Sequence, residues 1–221
     1  MNMATNFWAP IQLSLEVATV SGIIVLVLGL FLGKMMANTA FKGKTFVETT
    51  FLLPLVLPPS VVGFLLIVIF GRNSPIGQLI ETVFKHPIMF TWWAAVIAST
   101  VVAFPLMYQS AKAGFETIDR DIEDAARVDG ADEFKLFAFI TIPLAHRAII
   151  SGAILSFARG LGEFGATLMF AGNIPGKTQT IPTAIYIAID SGNMELAWLW
   201  VISMVGISFL MLLGVRLMSS K

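Results

Sequence analysis

The sequence has no cysteine. That absence removes disulfides, thiolate metal sites and cysteine nucleophiles together, and it leaves the redox compartment unread. Charge is scarce: 13% of residues are Asp, Glu, Lys or Arg, with 14 basic side chains against 14 acidic ones. A net charge of zero gives no electrostatic footprint for nucleic acid, so no nucleic-acid partner is expected. Histidine is limited to His86 and His146, and neither has a second ligand at metal spacing, so no metal is expected. A phosphate-binding loop is missing too, since it needs Gly, four residues, Gly, Lys and Ser or Thr. The stretch 171–178 has its first glycine one place late and a proline in the cradle, and 38–45 begins on Asn. No nucleotide site, no cofactor and no enzyme activity are therefore expected of this chain. The first ten residues hold no Lys or Arg, so the basic start of a cleaved signal peptide is not expected either.

What the chain has is apolar length. Of its 221 residues 57% are hydrophobic, and the mean hydropathy is +0.84. A soluble domain could not cover that surface with so few charges. Apolar runs of about 20 residues mark membrane-spanning helices. Such runs fall near 11–36, 50–70, 90–113, 148–172 and 196–218, while the piece 181–189 is too short to cross and reads as an outer or re-entrant helix. The expectation is an all-α integral membrane protein of about five transmembrane helices, surrounded by lipid. It reads as one domain over 1–221 with a core near 11–218. Lys34, Lys42, Lys44, the basic residues from Lys112 to Arg147, Arg216 and Lys221 fall on one side, and Arg72, Lys85 and Lys177 on the other. Basic residues gather in cytoplasmic loops, so the N-terminus is expected outside, with the C-terminus and the 114–147 loop inside.

The stretch from Asp119 to Pro143 is a polar island in this apolar chain. Asp119 and Asp121 offer acceptors at a helix start. Glu123 and Asp124 near that start, and Arg127 near its end, suit the helix dipole. Gly130 can take the left-handed turn that closes the helix. A second short helix should follow, with Phe134, Phe137 and Leu136 or Ala138 on its apolar side, until Pro143 stops it. Further on, Arg159 and Glu163 fall near the middle of a roughly 30 Å hydrocarbon core, four apart and so on one helix face. A charge there costs about 3 kcal/mol, so neither should face lipid. Together with the Thr167 hydroxyl, this face either lines a water-filled path or an inter-subunit seam, or it is a buried pair that locks packing. Gly29 and Gly33 read as a helix-packing surface. Pro54, Pro58 and Pro59 predict a kinked or delayed start to the second span.

The polar island also carries a spacing. Asp124-Ala125-Ala126 is followed by three residues and Gly130, then by nine residues and Ile140, with Pro143 three beyond. This resembles the cytoplasmic loop of ATP-binding-cassette importers, E-A-A, three residues, G, nine residues, I-x-L-P. Asp124 stands in place of Glu and Ile142 in place of Leu, with Glu123 as a second candidate for the carboxylate. Leu57-Pro58-Pro59-Ser60, Gly160-Leu161-Gly162-Glu163-Phe164-Gly165-Ala166-Thr167 and Thr180-Ile181-Pro182-Thr183, with their flanks, resemble the membrane subunit of molybdate importers. The resemblance implies a type I importer permease fold with a cytoplasmic coupling helix. Its ATPase-coupling loop would comprise Glu123, Asp124, Ala125, Ala126, Asp129, Gly130, Ile140 and Pro143. It further implies a homodimer, two cytoplasmic ATPase subunits carrying the ATP and Mg²⁺, and an extracytoplasmic oxyanion-binding protein. The implied function is import of molybdate or tungstate across the cytoplasmic membrane by alternating access. A sulfate/thiosulfate permease is the alternative within the class. An ion-coupled secondary transporter protonated at Glu163 is the alternative outside it.

Overall fold

The computed structural model describes residues 3–219, with side chains from 7 to 214. Lys221 and the Arg216 side chain, counted above among the basic residues of one side, lie outside the described residues. Every regular element described is helical. In chain order they are α1 (Met3–Asn38), α2 (Lys44–Val56), α3 (Pro59–Phe70), α4 (Pro75–Phe84), α5 (Trp92–Glu116), α6 (Arg120–Val128), α7 (Glu133–Leu136), α8 (Ile142–Leu161), α9 (Gly165–Phe170), α10 (Ile181–Asp190) and α11 (Met194–Ser219). Among the described residues, four continuous helical stretches are long and apolar enough to cross a bilayer, and a bent pair raises the count to five. Many of their large apolar side chains are exposed, among them Phe31, Ile202 and Phe209 at 63–65%. Such a surface suits lipid or a neighbouring subunit rather than water.

Three differences from the sequence expectation have local causes. The second span is two helices, α2 and α3, bent by 118° where Leu57 and Pro58 intervene. Two successive prolines withhold two N–H donors, and Pro59 then sits in the first turn of α3, where none is needed. The loop after it contains α4, opened by Ser74, whose Oγ accepts the Gly77 N–H at 2.8 Å, and by Pro75. Pro143 does not stop a helix. A wide π-type turn, Phe137–Thr141, joins α7 directly to α8, and Pro143 lies in the first turn of α8. Widening the repeat relieves the clash between a proline ring and the carbonyl one turn back. The fourth span accordingly begins at Glu133 rather than near residue 148, and it ends at Leu161.

The described residues group into two compact units, each drawn from separated stretches of chain. One takes the chain up to Ser21, Leu57–Val102 and everything from Ala158 onward. In it α9 lies close on α3: a Cβ on Gly63 would stand 2.8 Å from Met169 Cβ, and one on Gly165 2.9 Å from Pro59 Cβ. Its second cluster packs Ile181, Ala184 and Ala188 of α10 against Ala197 and Trp200 of α11. Trp200 Nε1 donates to the Phe7 carbonyl, and Ser14 Oγ accepts the Ile181 N–H.

The other unit comprises Gly22–Val56 and Ala103–Phe157. Its core is Val25, Ala103, Met107, Ala111, Phe115, Ala145 and Ile149. Gly29 and Gly33 let α1 press on α5, as their spacing predicts. A Cβ at Gly29 would meet Met107 Cγ at 2.5 Å, and Met107 is fully buried. Gly29→Ala should therefore cost about 1–3 kcal/mol by overpacking, read as a lower melting temperature in detergent. An unchanged melting temperature would mean that the contact yields freely.

Candidate functional site

The polar island folds into α6, a tight turn and α7. Asp119 caps α6, its carboxylate accepting the Asp121 N–H at 3.0 Å. Asp129 is the C-cap, and Gly130 follows at φ +90°. The Ala131 N–H returns to the Ala126 carbonyl at 3.0 Å and closes the end of the helix. Arg127 ties the two sides of the turn, donating through Nη1 to Asp124 and through Nε to Glu133, both at 2.8 Å. Asp132 caps α7 through the Lys135 N–H.

The two candidate carboxylates separate cleanly. Asp124 is exposed and holds Arg127. Glu123 turns inward with 7% of its side chain exposed. Burial works against its ionisation, but the Lys34 ammonium and the Thr141 hydroxyl outweigh this and hold it below the usual carboxylate range. Ala125 is exposed and Ala126 half-buried, while Ile140 lies half-buried in the wide turn and Pro143 is exposed at the start of α8. The outer surface of the island is apolar: Ile122, Val128, Phe134 and Phe139 are 47–87% exposed. Phe134, expected on an inner face, is 76% exposed, because Leu136 and Phe137 occupy that role.

Arg159 and Glu163 do pair, Nη1 to Oε2 at 2.6 Å, though not along one helix. α8 ends at Leu161, and Glu163 lies in the break before α9. Gly160, Gly162 and Gly165 weaken the helix here, and the last turn tightens, the Glu163 N–H bonding the Gly160 carbonyl. The pair thus sits at the end of a helix rather than in the middle of one. Glu163 Oε1 also accepts the Ala166 N–H at 2.8 Å, inside the first turn of α9. Its side chain is 2% exposed and Thr167 is buried, whereas Arg159 keeps 30%. Nearby, Ser99 donates to the Gly160 carbonyl and is hydrogen-bonded to the Ser21 hydroxyl at 3.0 Å.

Two clusters escaped the sequence reading. Lys34 and Thr141 converge on Glu123. Glu48 of α2 takes Lys112 at 2.8 Å and the Tyr108 hydroxyl at 3.4 Å, both from α5. A lysine isolated in an apolar span was the available signal, since such a charge needs a partner.

The family described as binding-protein-dependent transport system inner membrane component matches residues 25–221. The chain is 63% identical, over 96% of its length and 94% of the relative's, to the putative molybdenum transport system permease protein YvgM of Bacillus subtilis (strain 168). It is 42% identical, over 85% of its length and 82% of the relative's, to the molybdenum transport system permease protein ModB of Escherichia coli (strain K12). Its fold is similar to a chain of a bacterial alginate transporter solved in complex with an alginate-bound periplasmic protein. There the TM-score is 0.76 at 18% identity, covering 97% of this chain and 78% of that one. It is also similar to a chain of the inward-facing methionine transporter MetNI, with a TM-score of 0.73 at 16% identity, covering 99% and 97%.

Proposed function

The chain belongs to the family of binding-protein-dependent transport system inner membrane components, and from that premise we propose that it is the permease subunit of an ATP-driven molybdate importer. The observation that carries this reading is the likeness, along nearly the whole chain, to molybdenum transport permeases. It is an integral membrane protein with the all-α fold of type I importer permeases. Two copies form the permease, embedded in the cytoplasmic membrane with N-termini outside and the α6 loop and C-termini inside. ATP and Mg²⁺ belong to two cytoplasmic ATPase subunits, and an extracytoplasmic oxyanion-binding protein delivers cargo.

The surface of the polar island supports this division of labour. Ile122, Val128, Phe134 and Phe139 give a partner something apolar to grip, while Arg127, Asp124 and Glu133 stiffen the turn beneath. Residues 123–130 therefore dock in the ATPase, with Ile140 and Pro143 carrying the movement into α8. Arg159, Glu163 and Thr167 form a polar seam beside the path, with Arg159 as the member an oxyanion could approach. The proton-coupled alternative is not favoured: Glu163 is committed to Arg159 and to the Ala166 N–H.

The test is ATP hydrolysis by the reconstituted complex of permease, ATPase and binding protein. Molybdate should stimulate it several-fold more than sulfate at equal concentration. Equal stimulation by both would place the chain with sulfate permeases, and uptake that persists without the ATPase would end the importer reading.

A further inference from the structure

α6 presents a broad exposed face, yet little packs behind it. Ile122, Ala125 and Val128 all point outward, and of its described residues Glu123 alone is buried. The helix has nine residues and is joined to α5 and α7 by short segments. Without an apolar inner face, its orientation depends on the exposed Arg127–Glu133 pair across the turn and on what Glu123 holds.

That carboxylate is bound by two elements outside its own helix. Lys34 Nζ, near the end of α1, reaches Glu123 Oε1 at 2.5 Å. The Thr141 hydroxyl, at the close of the wide turn, donates to the same oxygen at 2.8 Å. Lys34 is 20% exposed and Thr141 fully buried. The Lys34 ammonium also lies 5.8 Å above the Phe115 ring of α5. Next to it Gly33 seats α1 hard on α5, since a Cβ there would stand 3.0 Å from both Ala111 Cβ and the Lys112 nitrogen. An exposed ion pair between long side chains transmits little force. A buried carboxylate with fixed partners on two elements is stiff in direction as well as distance.

We propose that Lys34 and Thr141 are positioning residues of the transport cycle, which latch α6 through Glu123 so that a push on its outer face moves α1 and α8 rather than rolling α6 in place. The proposal rests on the permease reading above. Where the latch holds, displacement passes directly to α1, a helix with no part in the coupling motif, and to the start of α8. Where it is broken, α6 turns about its two short tethers, and ATP is spent without cargo moving.

The test uses the full complex in proteoliposomes, with molybdate uptake and ATP hydrolysis measured in the same preparation. Lys34→Met should leave hydrolysis near wild type and lower the molybdate moved per ATP about tenfold, within the usual range of coupling between linked sites. Lys34→Arg should recover most of that ratio. Thr141→Val, which keeps shape and removes one hydrogen bond, should lower it about threefold, a coupling loss of the smaller kind. A merely structural role would lower uptake and hydrolysis together and leave the ratio alone. If Lys34→Met fails to assemble with the ATPase, Thr141→Val decides: a wild-type ratio there overturns the latch. A wild-type ratio in assembled Lys34→Met overturns it equally. Failure of the unmodified complex to couple hydrolysis to molybdate uptake would instead count against the permease reading.

Discussion

Arg159→Ala lowers the stability of the chain by up to about 3 kcal/mol, and Arg159→Ala/Glu163→Gln restores more than half of the loss. Breaking a buried ion pair costs about 3–5 kcal/mol when one charge is left stranded. Here the stranded group is Glu163, 2% exposed and left with the Ala166 N–H as its remaining partner. Arg159 keeps 30% exposure, which places the loss at the low end. Glutamine retains the acceptor for Ala166 and removes the charge that has nowhere to go. Thermal unfolding of the purified protein in detergent reads both variants. Equal losses in the single and double variants would show that the two charges act separately.

Gly130→Val abolishes molybdate uptake while the protein still inserts in the membrane. Gly130 has φ +90°, and a Cβ there would meet nothing within 4 Å, so the cost is entirely in the backbone. A left-handed conformation costs an L-residue roughly 1–2 kcal/mol, and a β-branched one more. The chain escapes by leaving that region. In doing so it breaks the Ala131-to-Ala126 closure and pulls Glu133 away from Arg127. The helix end that carries Val128 then points elsewhere. Gly130→Asn, which tolerates the left-handed region, keeps part of the activity. Uptake in vesicles, normalised to inserted protein, checks both, and normal uptake by the valine variant would remove Gly130 from the coupling role.

How much could be read from residues alone depended on how local each cause was. The helix start at Asp119, the turn at Gly130 and the packing role of Gly29 were legible, because capping, left-handed turns and small residues act over a few positions. The long spans were legible from apolar runs, and the short helix over 181–189 from its length. The 118° break was underestimated, since the prolines announce a kink without fixing its angle. Pro143 misled because its effect depends on the turn before it, and nothing in Phe137–Thr141 marks a widened repeat. The partner of Arg159 was legible from spacing, whereas the helix end between them needed three weak glycine contributions to be summed. The bonds of Glu123 were out of reach, since Lys34 lies 89 positions away.

The first four buried residues along the helix that starts at Glu133 are Leu136, Thr141, Ala145 and Ile149. The intervals are five, then four, then four. One supernumerary residue in the first interval keeps Leu136 in phase with the three that follow. Remove it, and everything upstream rotates by about 100° against everything downstream, taking Thr141 or Leu136 off the buried side. The gap between the glycine and the proline of the loop is thus a timing element: a homologue could shorten it only by also reverting the swollen coil to ordinary pitch.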